Sequence, residues 1–215
     1  MIDGRQGRTL RSRQAICDAC LDLVEEGVLQ PSADQIAELA GVSRRSIFNH
    51  FSDLTELYDA VVQAGLRRCA PLLEEVPRSL PLHGRAARLA AMSARFHEAT
   101  TPFRRSTVVQ SLVGPLREEA FRVTQRLLRE ERDGVAALFE DELAQLPAPE
   151  RAELTEALAT AVSPASWDHL RASRGLSPAR ARAVMQRSLL ALLRDAGLAE
   201  PASPRISGSG PGPRT

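Results

Sequence analysis

The side chains best suited to chemistry lie together in the first quarter of the chain. They all carry hydrogen-bond donors: Arg44, Arg45, Ser46, Asn49 and His50. A helix that buries Ile47 and Phe51 turns these five residues outward. Donors of these types contact the phosphates and base edges of DNA. The segment therefore predicts a recognition helix for double-stranded DNA.

Two short capped helices are predicted to position this segment. Ser32 is a suitable N-cap for the first helix, and Gln35 three residues later completes a capping box. Ser43 restarts the chain as the N-cap of the second helix. The turn between them, residues 40–43, is short enough to require an angled helix pair, and Gly41 suits the positive φ of such a turn. The pattern predicts a helix-turn-helix.

Two further helices are predicted around this pair. Apolar residues recur at helical spacing between Leu10 and Gly27, and Gly27 suits a C-terminal cap. Ser52 or Asp53 is a suitable N-cap for a fourth helix. The apolar stripe of that helix runs through Leu54, Leu57, Tyr58, Val61, Val62, Leu66 and Cys69. We assign residues 1–53 to an N-terminal arm and a three-helix DNA-binding domain.

The remaining sequence predicts a helical bundle over residues 54–200, within which the proline-containing stretch 70–81 favours a boundary. The first expected helix runs from Leu82 and stops before Pro102, and a short one over 103–113 breaks at Gly114-Pro115. A long helix is expected over 116–146, and another over 150–173 with a kink at Ser163-Pro164. Ser177-Pro178 opens the last helix, over 179–196. No segment alternates like a strand, so the predicted fold class is all-α. Residues 201–215 are rich in Pro, Gly and Ser, which predicts a disordered tail.

Composition limits the possible functions only weakly. All 28 basic residues are arginine and the formal net charge is +1, so bulk charge neither favours nor excludes a nucleic-acid partner. No apolar run approaches the roughly 20 residues of a membrane span, and the first residues lack the apolar stretch of a signal peptide. We expect a cytoplasmic protein without a membrane partner.

Other motifs give little support to an enzyme or a metal protein. Cys17 and Cys20 lie one helical turn apart, but no second Cys or His pair stands at a zinc-site spacing, and Cys20 lies on the apolar stripe, which favours packing. His97-Glu98 lacks the second histidine of a zinc-protease helix. The sequence contains no Gly-x-Ser-x-Gly, Walker or dinucleotide loop. It predicts no metal, no cofactor and no catalytic residues.

The first sixty residues resemble the N-terminal pattern of the TetR family of bacterial transcriptional regulators. The matching positions are Ile16, Ala19, Cys20, Leu23 and Gly27, then Ser32, Ile36-Ala37, Ala40-Gly41-Val42-Ser43, Phe48, His50-Phe51 and Leu57. The resemblance implies a homodimer that binds a palindromic DNA operator and acts as a ligand-responsive repressor. The DNA-binding residues it implies are Ser32, Ser43, Arg44, Arg45, Ser46, Phe48, Asn49 and His50.

Two positions depart from the family pattern. Phe48 replaces a frequent tyrosine, and Leu54 replaces a frequent lysine at the start of the fourth helix, so two phosphate contacts are lost. The N-terminal amides of the fourth helix offer another phosphate site, although Asp53 opposes it. We expect the basic arm to compensate, with Arg5 and Arg8 contacting the DNA backbone or minor groove; Arg11 and Arg13 belong to the same arm.

The resemblance also implies an effector pocket and a dimer contact in the second domain. The apolar candidates for the pocket are Met92, Phe96, Phe103, Val109, Leu112, Leu128 and Trp167, and the polar candidates are Arg95, Gln110, Thr124 and Gln125. Each apolar residue taken alone is better explained by core packing. The last helix is apolar on more than one face, which suggests a second copy as partner. The predicted interface residues are Trp167, Val184, Leu189 and Leu193.

A second hypothesis is a helical dimer that has lost DNA binding and serves as a scaffold or a small-molecule binder. Residues 1–60 contain six arginines against ten acidic residues, which supports this alternative. The turn motif with Arg44 and Arg45 argues against it.

Overall fold

A computed structural model describes residues 4–113 and 116–198. Within these ranges the chain forms ten α-helices and no strand, which confirms the all-α prediction. The helices are α1 (Gly4–Glu25), α2 (Ala33–Ala40), α3 (Arg44–His50), α4 (Leu54–Cys69), α5 (Leu82–Val113), α6 (Arg117–Leu138), α7 (Glu140–Leu143), α8 (Ala148–Val162), α9 (Pro164–Asp168) and α10 (Pro178–Asp195). The tail expected to be disordered, residues 201–215, lies outside the described residues.

Helices α1 to α4 share one apolar core, because α1 packs against the other three. Its buried side chains include Ile16, Leu21, Ile36, Ile47, Phe51, Leu57 and Ala64. Phe103 of α5 also packs against this core. Because α4 supplies Leu57 and Ala64, the N-terminal core extends beyond the residue 53 at which the sequence analysis placed the domain limit.

Helix α1 begins at Gly4, six residues before the start that the apolar pattern indicated. The predicted basic arm is therefore the first part of a helix. Arginine and glutamine are good helix formers, and this stretch contains no proline to stop the helix. The apolar pattern missed these turns because they extend beyond the core and carry exposed side chains such as Arg8 and Thr9.

The prediction that a helix stops before Pro102 is wrong, since α5 continues through this residue to Val113. Pro102 removes the amide that would bind the Glu98 carbonyl, but side-chain donors strengthen the same turn at the neighbouring His97 carbonyl. The Thr101 hydroxyl donates to the His97 carbonyl at 2.7 Å, and Arg104 donates to the same carbonyl at 2.9 Å. Packing of α5 against α6, α8 and α10 also favours one continuous helix.

The long helix expected over 116–146 is also divided. Phe139 leaves the helical conformation with φ −110° and ψ 22°, which ends α6 before α7 begins. The ring of Phe139 is fully buried in the second core. The buried Arg85 of α5 forms an ion pair with Glu142 and donates to the Leu138 carbonyl at 2.8 Å. These contacts give the Leu138 carbonyl at the end of α6 a partner and tie the corner to α5.

Helices α5, α6, α8 and α10 enclose the second core. The break expected at Ser163-Pro164 is confirmed, because Ser163 is extended and its hydroxyl accepts the Ser166 amide at 3.2 Å. The start of α10 is also confirmed, with Ser177 as N-cap and Pro178 as the first helical residue. No helix within residues 4–113 and 116–198 combines the length and apolar character needed to cross a membrane.

Candidate DNA interface

Local hydrogen bonds hold the helix-turn-helix in the predicted form. The Ser32 hydroxyl accepts the Gln35 amide at 3.2 Å, and the Gln35 side chain accepts the Ser32 amide at 2.9 Å, which completes the capping box. Gly41 has φ +65° and ends α2 in the left-handed conformation that favours glycine. Ser43 then caps α3 by accepting the Ser46 amide at 3.1 Å. Both serines are exposed, so each hydroxyl proton is still available to an anion.

The orientation of α3 agrees with the predicted division between its two faces. Ile47 and Phe51 are buried in the N-terminal core. The outer face carries Arg44, Arg45, Phe48 and Asn49 as exposed residues, with Ser46 and His50 half-buried. A short helix that exposes guanidinium, amide and aromatic groups along its length has the donors and the apolar surface that base edges require.

The two arginines at the start of α3 differ in their contacts. Arg44 pairs with Asp34 of α2, with Nη1 3.1 Å from Oδ2, and both side chains are well exposed. An exposed pair of this kind contributes about 1 kcal/mol or less, so DNA can displace Asp34 at small cost. Arg45 makes no hydrogen bond or ion pair within the described part of the chain. Arg45 is therefore the guanidinium most ready to meet a ligand.

Arg13 has a structural role that the sequence analysis did not foresee. Its guanidinium donates to the backbone carbonyl of His50 and pairs with Glu56, with Nη1 2.9 Å from Oε1. The same group lies over the Phe51 ring, 4.2 Å from its centroid. A cation at this place satisfies the C-terminal end of α3 and favours its dipole. Arg13 thus fixes α1 to the recognition helix instead of pointing freely toward DNA.

The rest of the basic arm lies on the first turns of α1. Between Gly4 and Gln14 the helix contains four arginines and no acidic residue. Arg8 and Arg11 are exposed, and the side chain of Arg5 lies outside the described residues. Because Arg13 contacts the end of α3, these turns project from that end at a rise of about 1.5 Å per residue. The exposed arginines of the arm thus belong to the helix that Arg13 ties to the end of α3.

The start of α4 is less suited to binding a phosphate than a helix N-terminus without acidic side chains. Asp53 accepts the Glu56 amide at 2.8 Å, and Glu56 accepts the Ser52 amide at 2.7 Å. The Ser52 amide, and next the Arg13 guanidinium, lower the pKa of Glu56. Two carboxylates thus hold the N-terminal amides. Leu54 is exposed beside them and offers no charge in compensation.

The apolar residues predicted to line an effector pocket are not gathered around one cavity. Trp167 is fully buried in the second core, Phe103 packs against the first, and Leu112 and Leu128 are 69% and 41% exposed. Met92, Phe96 and Val109 are half-buried. A surface groove of about 540 Å³ lies between α6 and α8, and a smaller one of about 170 Å³ includes Met92 and Arg95. The pocket itself remains a prediction.

A buried polar cluster in the same domain was missed. His97, Arg104 and Glu131 lie among the helices of the second core, and each has a buried polar atom without a hydrogen-bond partner. A signal for two of them exists in the sequence. His97 and Arg104 continue the inner face of α5 marked by Ala86, Ala90 and Ala94 at helical spacing. A polar residue on a buried face indicates a special role more strongly than an apolar residue does, because apolar residues are buried by default.

Three of the four residues predicted at the dimer interface lie inside the chain's own core. Trp167, Leu189 and Leu193 are 0% exposed, so their side chains offer no surface to a second copy. The last helix is apolar, as its pattern indicates, but most of its apolar side chains pack within one chain instead of against a partner. Val184 differs from the other three, because it is 40% exposed on the outer face of α10.

The cysteines are packed among apolar side chains, as expected. Cys17 belongs to the N-terminal core, and Cys20 packs against it. Burial raises the pKa of Cys17 and raises that of Cys20 to about 12, so neither thiol is readily converted to the reactive thiolate. Within the described residues, no group of three His, Cys, Asp or Glu side chains is placed to hold a metal ion.

Comparison with known proteins supports this reading of the fold. A transcriptional regulator from Rhodococcus sp. Rha1 is 20% identical with a TM-score of 0.64, and the match covers 90% of this chain and 99% of that chain. A TetR-family transcriptional regulator from Streptomyces coelicolor is also 20% identical with a TM-score of 0.64, covering 87% and 85%. No protein-family model and no curated protein matches the sequence. The chain thus shares the all-α fold of these two regulators, which agrees with the TetR-like pattern in its first sixty residues.

Proposed function

We propose that the chain is a one-component transcription regulator that binds a near-palindromic DNA operator as a homodimer. The observation that carries the proposal is the capped α2–α3 pair, which exposes Arg44, Arg45 and Asn49 on a helix anchored by Ile47 and Phe51. A small molecule bound in the second domain releases the operator, so that the protein acts as a repressor. The shared fold with two transcriptional regulators supports this function.

Each residue on the outer face of α3 has a defined role in this proposal. Arg45 and Asn49 are one turn apart and form the polar row that reads base edges, because arginine pairs with guanine and asparagine with adenine. Arg44 and Phe48 form the neighbouring row. Phe48 has no hydroxyl to reach a phosphate, but its exposed ring suits the methyl group of thymine. Arg8 and Arg11 extend the contact along the DNA backbone.

The proposed dimer forms through the outer faces of α8 and α10. The exposed acidic residues of α8 are Glu150, Glu153 and Glu156, and the exposed basic residues of α10 are Arg180, Arg182, Arg187 and Arg194. In a two-fold arrangement, α8 of each copy meets α10 of the other, so opposite charges face each other twice. Val184 and Ala191 provide exposed apolar surface between the arginines.

Helix α5 gives the effector domain a direct connection to the DNA-binding domain. Beyond Pro102, Phe103 packs against the N-terminal core, and the Ser106 hydroxyl donates to the Leu29 carbonyl at 2.7 Å. The earlier turns of α5 belong to the second core. A ligand that prefers one position of α5 therefore changes the placement of the recognition helices, which is the requirement for coupling.

Selection of DNA from a random pool tests the proposal. We expect the parent chain to enrich a near-palindrome, because a two-fold dimer presents two copies of α3 to grooves about 34–36 Å apart. Arg45→Ala should weaken binding to that operator by about 1–3 kcal/mol and relax one position in each half-site. Arg129→Ala, on the exposed side of α6 and outside the proposed dimer contact, is the matched control and should bind as the parent does. Failure to enrich any sequence would contradict the proposal.

The second candidate function is a helical dimer that no longer binds DNA. The carboxylates of Asp53 and Glu56 at the start of α4, together with the uncharged Leu54, favour it. In that case the random pool yields no consensus. Any residual non-specific binding to DNA then falls equally for all sequences as salt is added. A sequence-specific complex excludes this candidate.

A further inference from the structure

Three residues that each have a buried polar atom without a hydrogen-bond partner contact one another in the second domain. Within the described residues, the buried side-chain atoms that lack a partner are Arg85 Nε, His97 Nδ1, Arg104 Nε and Glu131 Oε1. The last three belong to residues in contact. His97 Nε2 is 3.5 Å from Glu131 Oε1, and Arg104 Nη1 is 2.9 Å from the His97 carbonyl oxygen. We call His97, Arg104, Glu131 and Asp168 the α5 polar cluster.

The hydrogen bonds already present define what the cluster lacks. His97 Nε2 is 2.7 Å from the Val162 carbonyl, and a carbonyl only accepts, so Nε2 donates and Nδ1 of the neutral ring is an acceptor. Glu131 Oε1 is a second acceptor. Arg104 Nε carries a hydrogen and is a donor. The Nη atoms of the same side chain already bind Thr100, Thr101, Asp168 and the His97 carbonyl, so Nε is the group left without a partner. A complementary molecule must donate at least twice and accept once.

The charges of the cluster favour a cation. Arg104 pairs with Asp168, with Nη2 2.6 Å from Oδ1, so these two charges compensate each other. Glu131 has only the His97 ring as a neighbour within ion-pair distance, which leaves its carboxylate without a permanent positive partner. The half-buried Phe96 ring lies 5.9 Å from the His97 ring, centroid to centroid, and adds an aromatic surface of the kind that cations prefer.

The cluster is buried without being closed off from solvent. His97 is only 3% exposed, whereas the side chains of Glu131 and Asp168 are 23% and 44% exposed. A molecule that approaches from solvent therefore meets these two carboxylates before the His97 ring. The cluster also adjoins Phe103 and Ser106, the residues by which α5 contacts the N-terminal domain, because His97 lies about two turns before them and Arg104 lies between them.

We propose that the α5 polar cluster binds a small organic cation, a protonated amine that also carries a hydroxyl or carbonyl oxygen. The ammonium group donates to Glu131 and His97, and the oxygen accepts from Arg104 Nε. The role of this molecule as the effector rests on the proposed function, whereas the binding itself does not.

Three probes of similar size and different charge test the binding. Ethanolamine is a cation, ethylene glycol is neutral and glycolate is an anion. With the full chain at constant ionic strength, we expect ethanolamine alone to raise the Tm and to change the emission of Trp167, the single tryptophan, which adjoins Asp168. Glu131→Gln keeps the shape and removes the charge, so it should weaken ethanolamine binding about tenfold or more. Glu130→Gln, on the adjacent exposed residue, should leave it unchanged.

The outcomes separate this inference from the proposed function. Equal responses of the parent and Glu131→Gln, or no response to ethanolamine, would overturn the binding site and leave a buried water as the occupant of the cluster. Binding that depends on Glu131 in a chain that selects no operator supports the site and contradicts the regulator. Loss of operator binding when ethanolamine is added supports the effector role, and unchanged operator binding overturns that role.

Discussion

The guanidinium of Arg13 lies 4.2 Å from the centroid of the Phe51 ring and joins the first helix to the end of the recognition helix. The same group binds the His50 carbonyl and Glu56. Phe51 is buried, so one face of its ring is covered by a charge instead of an apolar side chain. The orientation of α3 therefore depends on an arginine that sequence reasoning placed in a DNA-binding arm.

Replacing Arg13 should lower the free energy of unfolding of the protein, even when no DNA is present. Arg13→Ala removes the cation–π contact and the bond to the His50 carbonyl, so we expect a loss of about 1–2 kcal/mol in the free energy of unfolding. Urea denaturation followed by circular dichroism measures the change. Arg11→Ala, on the exposed side of the same helix, is the control and should stay within about 0.5 kcal/mol of the parent. Equal losses in both variants would contradict the structural role of Arg13.

Asp34 is expected to oppose DNA binding, because it holds Arg44 and adds a negative charge beside the recognition helix. Asp34→Asn should raise operator affinity about twofold to fivefold at low salt, which corresponds to the small energy of an exposed ion pair. Fluorescence anisotropy with labelled operator measures this gain, which should fade as salt is added. Glu38→Gln changes the same net charge on α2 without releasing Arg44. A gain as large in Glu38→Gln would show that bulk charge alone is responsible.

The proposed dimer predicts different results for two changes on α10. Val184 is exposed, so Val184→Glu should give folded monomers. Leu189 is fully buried in the core of one chain, so Leu189→Glu should unfold the chain instead of merely separating the copies. Light scattering gives the mass and circular dichroism gives the helix content of each variant. A Val184→Glu protein that remains dimeric would exclude this face of α10 from the interface.

Acid should disturb the pair formed by Glu98 and Arg171. The Arg171 guanidinium is the main cause of the lowered pKa of Glu98, and the Trp167 indole donates to the same carboxylate at 3.1 Å. Because the folded pKa is lowered, the stabilising contribution is present above the ordinary value of 4.5 and disappears as pH falls through the lower folded value. Trp167 emission should therefore change only below pH 4.5. Glu98→Gln should abolish this step, and a midpoint above 4.5 in the parent would contradict the assignment.

Local signals explain why the helix-turn-helix was predictable. The Ser32–Gln35 capping box, the Gly41 turn and the Ser43 cap each depend on residues within four positions of one another, so sequence order is enough to identify them. The recognition face follows from the same spacing, since Ile47 and Phe51 have to be buried.

The errors concern contacts between distant residues. A helix through Pro102 depends on Arg104 and on neighbouring helices, which propensity does not describe. The apolar character of Leu189 and Leu193 shows that they are buried, but not whether the same chain or a second copy covers them. His97 and Glu131 are 34 positions apart, so their contact is visible only once α5 and α6 are packed.

The path of α5 has a consequence for how the protein unfolds. Because Phe103 completes the N-terminal core and earlier turns of α5 complete the second core, neither half retains its full set of packing partners when the other melts. The two halves are therefore one cooperative unit, and heating should give a single transition with coincident near-ultraviolet and far-ultraviolet signals. A fragment that ends at residue 53 lacks Leu57, Ala64 and Phe103, so it should not reach the native fold by itself.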